Sequence, residues 1–171
     1  MSEIVVGIGE VQVAIAPATL VARGLGSCVG VILYDPAARV AGLAHVVLPE
    51  ESKMPTDRRT RSAPGAIENL LAEMLEHGAR RVALIAHVVG GAQVLRTAGR
   101  AAIGQRNVAA VRAVLRQEGI PIHTEDTGGN QARSLTFDVS SGELTVRRLP
   151  VFPDGTRSTQ HDSFGGVDYD D

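Results

Sequence analysis

The stretch that decides the architecture is residues 29–48, VGVILYDPAARVAGLAHVVL. Two apolar runs, residues 29–34 and 40–48, flank the polar segment 35–39 (DPAAR). An Asp-Pro pair favours a turn, because the proline ring presets φ and the Asp carboxylate can accept hydrogen bonds from the backbone that follows. The stretch therefore predicts a β-hairpin of two apolar strands.

The sequence on either side adds further strands and two helices. Residues 4–15 (IVVGIGEVQVAI) are rich in β-branched side chains, which favours a strand. Residues 64–77 carry apolar side chains three and four positions apart, which predicts an amphipathic helix, and a second helix is predicted at about 105–118. The remaining strands are predicted at residues 81–89, 120–125, 133–139 and 143–149. This order predicts an α/β protein of the layered α+β kind, with strand-rich mixed or antiparallel β layers flanked by two main helices.

One domain is expected over residues 1–150, because a chain of 171 residues suits a single core. Residues 50–63 are polar and irregular, which indicates a surface loop. Residues 151–171 are polar, Gly-rich and acidic, and they have no apolar period, so they are predicted to form a flexible C-terminal tail.

Composition argues against several function classes. The formal net charge of −2 gives no electrostatic support for nucleic-acid binding. No run approaches the roughly 20 apolar residues that span a bilayer, so membrane insertion is not expected. The single cysteine, Cys28, cannot form an intramolecular disulfide, which favours a reducing cytoplasm. The histidines show no metal-ligand spacing, so no metal site is expected.

The hairpin brings the only cysteine close to a histidine. If residues 35–38 form a four-residue loop, Tyr34 pairs with Arg39 and Cys28 lies directly opposite His45. Side chains that face each other in this way have Cβ atoms about 4.5–5.5 Å apart. The sequence therefore predicts contact between Cys28 and His45.

Such a contact would suit nucleophilic catalysis. An ordinary thiol has a pKa of about 8.5 and only its thiolate attacks, so a neighbouring histidine can take the proton and later return it to a leaving amine. Gly26 lets the backbone approach a substrate closely, and backbone N–H groups from Ser27 to Val29 are candidates to hold an oxyanion. A cysteine and a histidine in apolar runs are also compatible with inert core residues, and the residues alone leave both interpretations open.

The wider pattern resembles a known family. GLGSCVGVILYDP at residues 24–36, followed by GLAHVVLPE at 42–50, is similar to the signature of the chemoreceptor glutamine deamidases, the CheD family. Three more stretches match in the same order: GGA at 90–92, IGQRNVAAV at 103–111 and EDTGGNQARS at 125–134. Together these stretches extend the resemblance over about residues 4–149.

The resemblance implies a function and a mechanism. Cys28 would be the nucleophile and His45 the base, acting on glutamines of the helical cytoplasmic domains of methyl-accepting chemotaxis receptors. A thioester would form with release of ammonia, and water would then yield glutamate. No cofactor is implied, and the layered fold would resemble that of bacterial toxins that deamidate glutamines. The family commonly has a threonine six residues before the cysteine as a third catalytic group, whereas this chain has Ala22.

Other residues are candidates for the cleft lining, although each of them could instead support a loop or a strand. These candidates are Gly90, Gly91, Arg106, Asn107, Asn130 and Arg133. His87 is interpreted as structural.

Two further functions stay open. Members of the family also bind CheC-type phosphatases of phosphorylated CheY, so the chain could act chiefly as such a partner. A cysteine peptidase or a transglutaminase-like enzyme would use the same Cys–His pair.

Overall fold

The computed structural model describes residues 2–50, 61–93 and 102–150. The strands in this part of the chain are β1 (Ser2–Val5), β2 (Val11–Ile15), β3 (Ala18–Leu25), β4 (Val29–Asp35), β5 (Val40–Val46), β6 (Ile85–Gly90), β7 (Ile122–Thr127), β8 (Arg133–Asp138) and β9 (Glu143–Arg148). The α-helices are α1 (Ala63–Glu76) and α2 (Ile103–Gln117), and a short 3₁₀ helix covers Arg81–Ala83. The predicted tail, residues 151–171, and most of the predicted loop at 50–63 lie outside the described residues.

The strands form two sheets. One sheet has the order β1-β3-β8-β9 and the other has the order β2-β5-β4-β6-β7. Neighbouring strands are antiparallel except for β1 with β3 and β6 with β7, which are parallel. The prediction of mixed and antiparallel β layers with two main helices is confirmed.

Two apolar layers hold the molecule together. The helices cover one face of the five-stranded sheet, where residues such as Leu70 of α1 and Val111 of α2 pack against Val31 and Val88. The four-stranded sheet covers the other face, where Phe137 is fully buried. The five-stranded sheet is therefore covered on both faces, which explains why every residue of β4 and β5 is buried.

The predicted hairpin is present, but its register differs from the prediction. Asp35 pairs with Val40, and Gly30 is directly opposite His45. The turn begins one residue later than predicted because the Asp35 carboxylate accepts the N–H groups of Ala37 and Ala38, both at 3.1 Å. The prediction that Cys28 lies directly opposite His45 is therefore wrong. Because the register shift is two residues, both side chains still belong to the same face.

Three further boundaries differ from the prediction. The apolar run at 4–15 is two strands in different sheets, because the chain crosses from one sheet to the other between β1 and β2, with Gly9 at φ +73°. The predicted strand at 81–89 begins as a 3₁₀ helix, in which Val82 is 96% exposed, and only then becomes β6. β5 ends at Val46 rather than at residue 48.

Candidate active site

Cys28 and His45 lie at the same end of the β4–β5 hairpin and on the same face. Cys28 directly precedes β4, is half-buried, and packs against the apolar layer between the two sheets. Along β5, Leu43 belongs to that layer whereas Ala44 and Val46 face the helices, so His45 points between the sheets. The two side chains are diagonal neighbours, a relation in which positions lie about 7–8 Å apart and longer side chains still meet.

The imidazole of His45 is held by the main chain. The side chain is 2% exposed, and Nδ1 lies 3.3 Å from the carbonyl oxygen of Val6. A carbonyl can only accept, so Nδ1 carries the proton and Nε2 is the unprotonated nitrogen. Nε2 is buried and has no hydrogen-bond partner within the described part of the chain. His45 is therefore oriented with its basic nitrogen available for a proton.

Burial lowers the pKa of His45, while the bond to Val6 and the charge of Glu10 oppose the shift. The imidazole is consequently neutral at pH 7, which is the form that a general base requires.

The crossing segment between β1 and β2 fixes the Val6 carbonyl. The Val6 N–H donates to Val21 in β3 at 2.8 Å. The Glu10 carboxylate accepts the Gly7 N–H at 2.8 Å, and the Glu10 carbonyl accepts the His45 N–H at 3.0 Å. Glu10 thus contacts both the segment that carries the orienting carbonyl and the histidine itself. Sequence reasoning missed the role of Val6, because the group that orients His45 is a backbone carbonyl, which every residue has.

Ala22 is fully buried in β3 and belongs to the layer between the sheets. Its methyl group cannot hydrogen bond, so it cannot orient His45. Since Val6 already supplies an acceptor for Nδ1, the pair keeps an orienting group without a threonine at this position.

The loop that carries Cys28 is held through three successive carbonyl groups. The Gly26 carbonyl accepts the Ala92 N–H at 2.8 Å, and the Cys28 carbonyl accepts the Gly91 N–H at 2.9 Å. Between them, the Ser27 carbonyl accepts Nδ2 of Asn107 at 2.9 Å. The carbonyls of residues 26–28 are therefore all bound to the segment after β6 or to α2.

The glycines after β6 allow this close packing. A Cβ atom on Gly90 would lie 2.3 Å from the Cys28 carbonyl oxygen, and one on Gly91 would lie 2.2 Å from Cγ2 of Val108. Both residues also have positive φ, +118° and +65°. The structure places Gly90 and Gly91 directly against the loop that carries Cys28.

Two of the remaining candidates belong to α2. Asn107 is fully buried, and its Nδ2 also donates to the Val47 carbonyl at 2.9 Å. The neighbouring Arg106 is half-exposed and forms an ion pair of 3.8 Å with Glu50. Asn107 is therefore next to the Cys28 loop, whereas Arg106 faces outward.

The last two candidates lie in or next to the loop between β7 and β8. Asn130 is exposed. Arg133 is 2% exposed, and its guanidinium donates to Asp126 at 3.0 Å and to the carbonyls of Gly128 and Gln131 at 2.8 and 3.0 Å. Arg133 thus holds the shape of this loop.

His87 is remote from the Cys28 loop. It pairs with Ile32 in the middle of the sheet, and its ring contacts those of His123 and Phe137. Burial, together with the nearby His123, lowers its pKa to about 4. These contacts agree with its interpretation as a structural residue.

The residues that the structure describes include no group of three or more side chains suited to hold a metal ion. Neither α-helix in the described ranges combines the length and the apolar character that a membrane-spanning helix needs.

Known proteins match this chain over most of its length. Residues 47–148 match the family described as "CheD chemotactic sensory transduction". A "Probable chemoreceptor glutamine deamidase CheD" of Moorella thermoacetica is 46% identical over 153 residues, covering 86% of this chain and 91% of the relative. The "Chemoreceptor glutamine deamidase CheD" of Thermotoga maritima is 43% identical over 145 residues, with 85% and 91% covered.

The "Chemoreceptor glutamine deamidase CheD" of Bacillus licheniformis is 42% identical over 149 residues, covering 84% of this chain and 89% of the relative. The agreement of the family match with these relatives confirms the resemblance drawn from the five sequence stretches. The chain belongs to the CheD family.

Proposed function

We propose that this protein is a chemoreceptor glutamine deamidase in which Cys28 is the nucleophile and His45 the general base. The relatives that carry this activity in their names cover more than four fifths of the chain. The observation that carries the assignment of residues is the orientation of His45. Its Nδ1 is bound to the Val6 carbonyl, so Nε2 is the basic nitrogen. His45 also lies on the same face of the β4–β5 hairpin as Cys28.

The reaction follows from these two groups. Nε2 takes the thiol proton, and Sγ attacks the side-chain amide carbon of a receptor glutamine. The tetrahedral intermediate collapses as His45 returns the proton to the nitrogen, which leaves as ammonia, and a thioester to Cys28 remains. His45 then removes a proton from water, which attacks the thioester and releases glutamate and the free thiol. The two half-reactions consume one water and need no cofactor.

The oxyanion of each intermediate would be held by backbone N–H groups of the nucleophile loop, from Gly26, Ser27 and Cys28 to Val29. In a trans peptide the N–H points away from the preceding carbonyl. Because the Gly26 carbonyl binds Ala92 and the Ser27 carbonyl binds Asn107, the N–H groups of Ser27 and Cys28 each point away from those partners. This arrangement supports an oxyanion site next to Cys28.

Mass spectrometry of a receptor cytoplasmic domain incubated with the protein tests the proposal. We expect a gain of about one mass unit per modified glutamine, because an NH₂ group is replaced by OH. Cys28→Ala and His45→Gln should each lower the rate by a factor of about 10⁴ or more, since nucleophile and base act as a unit.

Tyr34→Phe is the matched control, because it removes a buried hydrogen bond to the Val139 carbonyl (3.0 Å) at the far end of β4. It should retain the wild-type rate. A mass gain that persists in Cys28→Ala would remove Cys28 from the mechanism. Peptide cleavage or incorporation of an added amine would instead indicate a peptidase or a transglutaminase.

Binding to a CheC-type phosphatase is a second candidate function, and Ala22 is the observation that favours it. The buried methyl group of Ala22 supplies no hydroxyl, so the chain lacks one group that the family commonly uses. A complex with a CheC-type protein in size-exclusion chromatography, together with no mass gain on receptors, would favour this function. Either function places the protein in the cytoplasm, where the receptor signalling domains lie.

A further inference from the structure

We infer that Asn107 is a positioning residue that fixes the direction of the Cys28 N–H and thereby forms the oxyanion site. The inference rests on the proposed function, since it assigns a role within the same site. It concerns the Ser27–Cys28 peptide, whose carbonyl is bound by a side chain. The peptides on either side of it are bound through backbone N–H groups.

The Asn107 amide has one orientation that fits its surroundings. Its NH₂ group faces two carbonyl oxygens, those of Ser27 and Val47, each at 2.9 Å. A flipped amide would put its oxygen against two acceptors. Both amide hydrogens are therefore used, and the Asn107 side chain is fully buried.

These two bonds join the segments that carry the reacting side chains. Ser27 directly precedes Cys28, and Val47 follows His45 by two residues. One amide group thus connects the nucleophile loop to the end of β5.

The helix that carries Asn107 is held unusually close to the loop. A Cβ atom on Gly104 would lie 2.6 Å from the carbonyl oxygens of Gly91 and Ala92. This contact allows the first turns of α2 to approach the Cys28 loop, so a side chain as short as asparagine reaches the Ser27 carbonyl.

The bond to Ser27 controls more than the position of the loop. A peptide unit is planar and trans, so a carbonyl that points to Asn107 forces the Cys28 N–H to point the other way. Without the Asn107 donor, the Ser27 carbonyl would lose this hydrogen bond, and the peptide could rotate until the carbonyl reached another donor. Such a rotation would turn the Cys28 N–H away from the oxyanion while Sγ stays accessible.

Two reagents separate these effects in the intact chain, and neither requires a receptor. Iodoacetamide alkylates a thiol by direct displacement, without an oxyanion. p-Nitrophenyl acetate acylates it through a tetrahedral oxyanion: Sγ bonds to the carbonyl carbon, and p-nitrophenolate leaves. Because Cys28 is the only cysteine, alkylation reports on that residue alone, and the Cys28→Ala variant gives the background of acylation.

We expect Asn107→Ala to lower the acylation rate by about 10²-fold while alkylation stays within about threefold, since this is the typical effect of losing one oxyanion donor. Tyr34→Phe, which also removes a buried bond to a carbonyl, should change neither rate. Circular dichroism verifies the fold. If Asn107→Ala is unfolded, Asn107→Ser, which keeps one donor, takes its place and should give an intermediate ratio.

Equal loss of acylation and alkylation would overturn the inference, because Asn107 would then act on the thiol or on the fold as a whole. Unchanged rates, or a wild-type protein that is not acylated, would overturn it as well. An altered ratio in a protein that modifies no receptor glutamine would contradict the proposed function alone. Receptor modification with an unaltered ratio would contradict the role of Asn107 alone.

Discussion

The charge of Glu10 acts on His45. It raises the pKa of the imidazole against the larger effect of burial, which lowers it. Glu10→Gln keeps an acceptor for the Gly7 N–H but removes the charge, so the pKa of His45 should fall further. The base then stays neutral to lower pH, and the acid limb of kcat/KM for receptor deamidation should move to lower pH.

Salt provides a control for this prediction. Glu10 is exposed, so about 1 M salt should screen its charge and bring the wild-type pH profile towards that of the variant. Glu3→Gln, an exposed carboxylate in β1, should leave the profile unchanged. An acid limb that stays in place in Glu10→Gln would show that the charge does not reach His45.

Single residues also show where sequence reasoning succeeds. The hairpin alone placed Cys28 and His45 on the same face, because a shift of two residues preserves the face, although their predicted direct pairing is wrong. Asn107 carried a readable signal as well: it precedes Val111 by four positions, so a polar residue occupies the buried face of α2. The Val6 carbonyl carried no such signal. Its role depends on how the segment between β1 and β2 crosses from one sheet to the other, and this path is set by contacts with residues far away in the sequence.

Among the elements, the β4–β5 hairpin depends on Asp35. Its buried carboxylate accepts the N–H groups of Ala37 and Ala38 in the turn and the N–H of Arg80 at 2.8 Å. Burial alone would raise the pKa of Asp35, but the bonds from Arg80 and Ala38 outweigh it and hold the pKa at about 2. The carboxylate thus joins the turn to the segment between α1 and β6.

We expect Asp35→Ala to lower the free energy of unfolding by about 2–4 kcal/mol, because several N–H groups lose a buried acceptor. Urea denaturation measures the change. Arg80→Ala is the control: the Arg80 side chain is 58% exposed and its backbone N–H is retained, so the loss should be below about 1 kcal/mol. Equal losses in the two variants would mean that the ion pair, and not the turn, is the important contact.

The elements themselves were mostly predictable. The two helices follow from the spacing of their apolar residues, and the hairpin follows from its turn residues. Both signals lie within a short stretch of sequence. The division of residues 4–15 into strands of different sheets did not follow, since a β-branched run looks the same in either sheet. The exposed 3₁₀ turn at Val82 was likewise hidden within an apolar run.

For the molecule as a whole, buried His87 makes stability depend on pH. Its pKa is about 4 in the folded state, compared with about 6.5 in an unfolded chain. As the pH falls below 6.5, the unfolded state takes up a proton that the folded state excludes, so the free energy of unfolding falls until about pH 4. The full effect is about 3 kcal/mol.

Urea denaturation between pH 7.5 and 4.5 measures this dependence. His87→Leu should make it less steep, because this titrating group is gone from both states, and the slope that remains includes the contribution of buried His45. His77→Gln, which replaces an exposed histidine at the end of α1, should keep the wild-type slope. A His87→Leu variant that loses stability as steeply as the wild type would assign the acid sensitivity to other groups.

The bond from His45 to the Val6 carbonyl has an evolutionary consequence. A main-chain acceptor is supplied by any amino acid, so position 6 can drift among apolar residues while the orienting group is inherited unchanged. Selection would then act on the path of the backbone, through insertions and deletions between β1 and β2. The substitution of a single side chain, as at Ala22, could be neutral in such a lineage, so side-chain comparison alone would misjudge which members are active.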